Sequence, residues 1–228
     1  MSDGQPTRRQ SHVDMPVSYA AVGASRAPDL QRFPPNGSTP YEETLRLGSG
    51  QDRFLMASSL LMTWGAQRGA GVGVRELQRG SGSDYQGPEF DDAGKPQAAA
   101  APEEHFGPDG EPYVVPGTRA VLSVTGQPDR EVLVIYTVTE DRVVGFAWGT
   151  ADEQGVVGEQ QFGIELREDE TVWAFARGFL DAPKSGLLGL RARAELKLAV
   201  EQVRHQLAAL APGAQPASSE GPSAERSA

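Results

Sequence analysis

Residues 143–179 read VVGFAWGTADEQGVVGEQQFGIELREDETVWAFARGF, and this stretch decides the fold class. It contains three runs of alternating residues separated by breaks rich in turn-forming residues, which is the pattern of neighbouring antiparallel strands. In the first run Phe146 and Trp148 share one face, and glycine and alanine occupy the other. In the last run Trp173 and Phe175 share one face, again with small residues opposite. The stretch therefore predicts three strands, of which the first and last each have a shallow face and an aromatic face.

Alternation recurs in other parts of the chain and predicts further strands. They are Val17–Val22, Val72–Leu77, Tyr113–Val115, Arg119–Thr125 and Glu131–Val138. In residues 131–138 both alternating sets are apolar, so we expect this strand to be buried on both faces. The polar residues 139–142 form the predicted hairpin turn that leads into the three strands above.

Two short helices are predicted near the N-terminus and one long helix near the C-terminus. Thr39-Pro40-Tyr41-Glu42 has the capping pattern of a helix start, and Gly48 would end that helix. Ser49 opens the second helix, with Asp52 three residues later. The C-terminal helix is predicted over Leu187–Leu210 because apolar residues recur there at helical spacing. Its apolar stripe consists of Leu196, Val200, Val203, Leu207 and Leu210.

These elements predict an α+β fold in which a curved antiparallel sheet of about six to seven strands wraps the long C-terminal helix. A single domain over residues 16–211 accounts for all of them, with polar tails at 1–15 and 212–228 that we expect to be disordered. The order of elements is similar to the helix-grip fold of the Bet v 1 and START-like (SRPBCC) superfamily. That resemblance implies a cavity between the sheet and the last helix.

Residues 79–112 interrupt the predicted domain with a segment rich in glycine, proline and alanine. The segment contains eight acidic and two basic residues, so it contributes −6 of the formal net charge of −10. A structureless segment of this length is unusual inside a compact domain. We expect a flexible insertion. The alternative is a lid over a pocket, with Tyr85, Phe90 and Phe106 as its apolar contacts.

The composition argues against several classes of function. A net charge of −10 disfavours binding to nucleic acid or to anionic membranes. No stretch approaches the roughly 18 apolar residues of a membrane-spanning helix, and the N-terminus lacks the apolar segment of a secretory signal. The chain has no cysteine, which excludes disulfides and thiolate chemistry. We therefore expect a cytoplasmic protein without nucleic-acid or membrane partners, and its oligomeric state stays open.

Histidine chemistry has little support in this sequence. His12, His105 and His205 lie in separate segments, so neither a histidine metal site nor a Ser/His/Asp triad is expected. No metal and no cofactor is predicted. Arg177 is more informative, because it lies among aromatic residues on its strand face and a buried charge requires a partner. The acidic candidates are Glu159, Glu165 and Asp181, and the alternative partner is a ligand anion.

The candidate binding residues are polar and aromatic side chains of the three central strands. They are Arg177, Glu159, Trp148, Trp173, Phe175 and Phe146. The four aromatic side chains would line a ligand cavity or, alternatively, form ordinary core. Strict alternation places Glu159 on the strand face opposite Phe162, so Glu159 would need a β-bulge to reach the same interior.

Several runs resemble an uncharacterised family, the Domain of Unknown Function numbered nineteen-ninety. They are Tyr19 with Val22–Ser25, Leu47–Phe54 with Leu61 and Trp64, Gly145–Thr150 (GFAWGT), Gly158–Glu159 with Phe162, and Val172–Arg177 (VWAFAR). The resemblance implies a fold rather than an activity, because the family has no assigned reaction. The chain has Asp152–Gly155 where the family pattern has a Gly-His pair, and Ala176-Arg177-Gly178 where it has Ser-Arg-Pro. A site built on that histidine or serine is therefore not expected.

Three functional hypotheses follow. The first is a non-catalytic module that binds a small hydrophobic or amphipathic ligand in a sheet–helix cavity. The second is an enzyme of the same fold, such as a cyclase or hydrolase acting on a hydrophobic substrate, with Arg177 and Glu159 as its polar pair. The third is an interaction protein that binds a partner through the acidic insertion. The first is preferred, and it rests on the two-faced strands and on the resemblance to the helix-grip fold.

Overall fold

The structure is a computed structural model that describes residues 17–82, 104–182 and 190–214. Seven strands lie within these ranges: β1 Thr39–Ser49, β2 Gly73–Gln78, β3 Arg119–Ser123, β4 Arg130–Glu140, β5 Val143–Thr150, β6 Val157–Leu166 and β7 Thr171–Asp181. The same ranges contain three α-helices, which are α1 Gln51–Met62, α2 Gly65–Gly69 and α3 Leu190–Ala208. A single 3-10 turn, Ala24–Arg26, precedes β1.

The strands form one antiparallel sheet in the order β1-β7-β6-β5-β4-β3-β2. From β2 to β7 each strand pairs with the next one along the chain, whereas β1 pairs with β7. The first strand therefore lies beside the last. The predicted α+β class, the curved antiparallel sheet and the C-terminal helix are confirmed. Leu187, the predicted start of that helix, lies outside the described residues.

The helix predicted to start at Thr39 is wrong, because this segment is strand β1. Tyr41 and Leu47 lie on one face and are buried. Arg46 and the other residues of the opposite face between them are exposed, so burial follows the two-residue period of a strand. Pairing along the whole of β7 outweighs the local capping pattern. Pro40 is tolerated because β1 is an edge strand that pairs on one side only.

Two other predicted strands are also absent from the described chain. Residues 17–22 form bends and turns, and residues 113–115 have no strand conformation.

The second predicted helix is confirmed as α1, with Phe54 and Leu61 on its buried face. Part of the predicted insertion is described as well. Phe106 is 53% exposed there and forms an isolated bridge with Pro112, while Tyr85 and Phe90 lie outside the described residues.

The inner face of the sheet, defined as the face that contacts the helices, carries the main core. Its central row is Phe146, Phe162 and Ala176, which are register partners on β5, β6 and β7. Helix α1 packs against β5 and β6, and α3 packs against β1 and β7. The sequence predicted that the C-terminal helix would pack against these strands. Helix α3 does pack on β7, whereas α1 covers β5 and β6 at the centre. Small residues such as Ala174 allow close packing on β7.

The outer face of the sheet is covered in part by the N-terminal segment, residues 17–27. Val17 and Val22 pack against a smaller cluster that includes Leu133, Ile135 and Tyr136 on β4. A β-bulge between Val134 and Tyr136 shifts the register of β4 against β5. The two-sided burial predicted for residues 131–138 is thus confirmed, because the helices cover one face and the N-terminal segment covers the other. In the described ranges, none of the helices combines the length and hydropathy needed to span a bilayer.

Candidate functional site

The structure separates the six predicted site residues onto two faces of the sheet. Residues that are paired across antiparallel strands point to the same face. Phe146 and Trp148 belong to the inner face, with the core under the helices. Gly149 pairs with Glu159, and Glu159 pairs with Phe179, so this row lies on the outer face. Trp173, Phe175 and Arg177 alternate with the buried alanines of β7 and lie on the outer face too.

The four aromatic residues therefore do not line one cavity. Trp148 lines a cavity on the inner face, whereas Trp173 stacks under the guanidinium of Arg167, which lies 4.2 Å from its ring centre. The Trp173 indole nitrogen donates to Thr171 Oγ1 at 2.9 Å. The Phe175 ring lies over Gly163, where an added Cβ would meet it at 2.3 Å. The alternation within each strand is as predicted, but Trp148 of β5 and Trp173 of β7 lie on opposite faces of the sheet.

The inner-face cavity lies between one end of the sheet and α3 and has a volume of about 500 Å³. Its apolar wall comes from β3, β7, the segments next to β2 and β6, and helix α3. It includes Val72, Leu122, Val124, Val156, Leu180 and Leu198. The polar wall includes Arg130, Trp148, Gln160 and Gln206. A mainly apolar cavity with a few polar groups is the usual composition of a small-molecule site.

Two donors on this wall have no acceptor among the described residues. The Trp148 side chain is buried, with 5% exposure, and its indole Nε1 has no hydrogen-bond partner there. Arg130 binds Asp152 through Nε, 3.1 Å from Oδ1, while its Nη2 is buried without a partner. An unpaired buried donor costs about 1–3 kcal/mol. An acceptor atom brought by a ligand would remove that cost.

Two amide oxygens on the same wall accept hydrogen bonds from the protein. Gln160 Oε1 accepts a hydrogen bond from the Tyr41 hydroxyl at 3.0 Å. Gln206 Oε1 accepts one from Gln67 Nε2 at 3.2 Å. Burial raises the pKa of Tyr41 well above its ordinary value, so the hydroxyl stays protonated and remains a donor. These contacts hold the floor of the cavity in a fixed arrangement.

A second cluster of polar residues lies on the outer face around Glu159, which is fully buried. Its Oε2 accepts hydrogen bonds from the Tyr19 hydroxyl at 2.8 Å and from the Gly23 N–H at 2.7 Å. Its Oε1 accepts from the Ser25 N–H at 2.9 Å and from the Ser25 hydroxyl. Four donors thus satisfy one carboxylate, which is about its full capacity as an acceptor. We name Glu159, Tyr19, Gly23 and Ser25 the Glu159 anchor.

Tyr136 extends this cluster toward the surface. Its hydroxyl lies 2.7 Å from Ser25 Oγ, and the Arg26 guanidinium lies 3.7 Å from its ring centre. Burial raises the pKa of both Tyr19 and Tyr136 far above the ordinary value of about 10. The Glu159 carboxylate raises both further, because it disfavours a second negative charge nearby. Both phenols are therefore neutral hydrogen-bonding groups.

Arg177 is bound by neutral groups rather than by the predicted acids. Its Nε donates to Gln161 Oε1 at 2.9 Å, and its Nη2 donates to the Arg26 carbonyl at 2.8 Å. Within the described residues no ion pair joins Arg177 to Glu159, although the two lie on the same face. The polar pair expected for an enzyme is therefore not formed.

The Glu159 anchor places a serine hydroxyl against a carboxylate, but this pair is closed to a substrate. Ser25 and Glu159 are both fully buried, and each carboxylate oxygen is occupied by a backbone N–H. The arrangement instead fastens the N-terminal segment to β6. Sequence reasoning did not identify Tyr19 and Ser25 as partners of Glu159. The sequence did contain an indication of this contact, because Tyr19, Ser25 and Glu159 all belong to the runs that resemble the family.

The fold and cavity define a class of α+β proteins with an antiparallel sheet packed on helices. The chain belongs to the family described as Domain of unknown function (DUF1990), whose model matches residues 18–84 and 104–186. The matched residues include the Glu159 anchor, Arg130 and Trp148. Gln206, on the polar wall of the cavity, lies outside the match.

Comparison with solved structures shows the fold alone. The chain is similar to the crystal structure of a hypothetical protein from Helicobacter pylori, with a TM-score of 0.50 and 11% identity. The similarity covers 87% of this chain and 100% of the other. No curated protein matches the chain.

Proposed function

We propose that this protein binds a small apolar or amphipathic ligand in the inner-face cavity between the sheet and α3. The observation that carries the proposal is a mainly apolar cavity of about 500 Å³ with the buried Trp148 N–H on its wall. A cavity of this size falls within the range of about 300–1,000 Å³ that is usual for small-molecule sites. A buried donor that is left unpaired favours a molecule that supplies an acceptor.

The strand order supports the same proposal by analogy. β1 lies beside β7 and the long C-terminal helix packs on both, an arrangement similar to the helix-grip fold. Proteins of that fold often hold a ligand between sheet and helix. The analogy concerns architecture and names no ligand.

The proposal is tested by filling the cavity with a side chain. Ala199 on α3 lines the cavity, and Ala199→Phe would occupy part of it without removing any polar group. Ala194→Phe is the matched control, because Ala194 is exposed on the same helix and does not line the cavity. We expect the neutral dye Nile red to bind the full chain saturably with one dye per protein, and the cavity variant to lose most of this binding.

Two further measurements complete the test. Circular dichroism of both variants would show whether the fold is kept, so that lost binding is assigned to the filled cavity. Native mass spectrometry of protein purified from its own host is expected to show a bound small molecule. Equal dye binding by the two variants, or binding that does not saturate, would contradict the proposal.

A further inference from the structure

We infer that the ligand of the inner-face cavity carries an uncharged hydrogen-bond-accepting oxygen, such as a ketone, ester or amide carbonyl, bound by Trp148 Nε1 and Arg130 Nη2. The inference rests on the proposed function and deepens it, because it specifies the chemical class of the ligand. It depends on two features of the wall, namely unpaired donors and balanced charge.

The donors determine that the ligand has an acceptor. An indole N–H can donate but cannot accept, so Trp148 is satisfied only by an acceptor atom. Its partner is missing among the described residues although the side chain is more than nine-tenths buried. Arg130 presents the same deficit at Nη2 on the same cavity wall. A pure hydrocarbon would leave both donors unpaired, whereas a carbonyl oxygen has two lone pairs for them.

The arrangement of β4 and β5 brings both donors to the same face of the sheet. Trp148 pairs with Val134, and Thr150 pairs with Val132. Arg130 is the next residue of this alternating set on β4, so it projects to the inner face as Trp148 does. Arg130 is the first residue of β4, and Trp148 pairs with β4 four residues further along, at Val134.

The charge of the wall determines that the acceptor is neutral. Arg130 is compensated by Asp152, whose Oδ2 also accepts the Glu131 N–H at 2.6 Å. The other charged wall residues, Arg191 and Glu195, form an ion pair with Nε and Oε1 2.8 Å apart. Two positive and two negative groups thus balance at the cavity. A ligand carboxylate would add a net negative charge beside Asp152 in a partly desolvated site, which is unfavourable.

The inference is tested with probes that differ only in their polar end. We would displace Nile red from the full chain with 2-decanone, decanoate and 1-decene, which share an apolar chain of similar length. We expect 2-decanone to displace the dye at about tenfold lower concentration than either of the others, since one good hydrogen bond is worth roughly that factor. Decanoate equal to or better than the ketone would overturn the inference.

Trp148→Phe removes the N–H and keeps an aromatic ring, so it isolates the hydrogen bond. We expect the ratio of the displacing concentrations of 1-decene and the ketone, both measured on the variant itself, to lose most of the preference seen in the wild-type chain. Trp173→Phe, on the outer face, is the matched control and should keep the preference. An unchanged preference in Trp148→Phe would contradict the inferred donor while leaving the cavity proposal intact.

Asp152→Asn tests the charge argument in the opposite direction. Without Asp152 the charge of Arg130 is uncompensated, so we expect decanoate to gain at least fivefold in affinity relative to 2-decanone. A decanoate affinity that does not rise would contradict the argument from charge balance. If neither the dye nor any probe binds the wild-type chain or shifts its melting temperature, both the inference and the proposed function are wrong.

Discussion

The carboxylate of Glu159 accepts a hydrogen bond from the hydroxyl of Tyr19, 2.8 Å away and 140 residues earlier in the chain. This contact fastens the N-terminal segment to β6 and closes the outer face of the sheet over the pair. The inner face is then the side on which a cavity opens, beside Trp148 and α3. The sheet is therefore closed on its outer face at the Glu159 anchor and borders the cavity on its inner face.

Replacing Glu159 with glutamine should destabilise the protein by about 2–4 kcal/mol. Each carboxylate oxygen accepts one backbone N–H, from Gly23 or from Ser25. Whichever oxygen becomes the amide NH₂, one buried N–H loses its acceptor and faces another donor. The free energy of unfolding in urea measures the loss, and hydrogen exchange at Gly23 and Ser25 locates it.

The control for this substitution is Glu165→Gln on the same strand. Glu165 shares the outer face with Glu159, but its side chain is 40% exposed and its carboxylate pairs with Arg167. Exposed pairs contribute little, so we expect a change within about 0.5 kcal/mol. Equal costs for the two substitutions would mean that the Glu159 anchor does not stabilise the fold.

Gly149→Ala should be costly because of Tyr19 rather than because of the strand itself. An added Cβ at Gly149 would lie 2.0 Å from the Tyr19 hydroxyl oxygen and 2.5 Å from the nearest ring carbon. Overpacking of this kind costs about 1–3 kcal/mol. In a Tyr19→Ala background the obstructing ring is gone, so the same substitution should cost much less. A double-mutant cycle of urea unfolding measures the coupling, and additive costs would contradict the contact.

Most of the sheet could be predicted from the sequence because strand periodicity is local. The alternation that predicts β4 to β7 is visible within about ten residues. The prediction for β1 was wrong because the capping pattern of Thr39–Glu42 is visible in the local sequence, whereas the pairing with β7 that outweighs it is not. Pairing with β7 depends on residues more than a hundred positions later, and no window of sequence around Tyr41 reports it.

The candidate site was harder to predict because it depends on how neighbouring strands are aligned. Alternation correctly put Glu159 and Phe162 on opposite faces. It could not tell whether Trp148 and Trp173 share a face, since that depends on the register across two turns. The pairing of Gly149 with Glu159 and of Glu159 with Phe179 settles the question. The partners of Glu159 come from a segment without strand or helix periodicity.

Stability should fall steeply as the pH rises above about 10. The folded-state pKa values of Tyr19, Tyr41 and Tyr136 are raised above the unfolded value of about 10, chiefly by burial. Stability from a raised pKa is fully present below the unfolded pKa and is lost as the pH increases beyond it. Each such tyrosine contributes a slope of about 1.4 kcal/mol per pH unit. Urea unfolding between about pH 9 and pH 11 measures the total slope.

Tyr19→Phe is the control for the alkaline prediction. It removes one of the three shifted groups, so the slope of stability against pH above about pH 10 should decrease by about 1.4 kcal/mol per pH unit. At neutral pH, where the tyrosines are protonated in both the folded and the unfolded state, the stability lost through the substitution should not depend on pH. The ultraviolet absorbance of tyrosinate gives an independent readout. We expect the buried tyrosines to ionise only when the protein unfolds, and ionisation of Tyr19 in the folded protein near pH 10 would contradict the proposed shift.

Arg53→Met should loosen the contact between the start of α1 and the end of α3. Arg53 donates through Nε to the Leu47 carbonyl at 3.1 Å and through Nη2 to the Leu210 carbonyl. Arg53 is partly buried, which lowers its pKa, and the two carbonyls replace part of the hydration that its charge loses. Methionine keeps the apolar stem and removes both bonds, so we expect a loss of about 1.5–3 kcal/mol.

Arg46→Met, at an exposed position of β1, is the control and should cost far less. Urea unfolding compares the two variants, and faster hydrogen exchange in the last turn of α3 should accompany only the Arg53 change, since only that side chain contacts it.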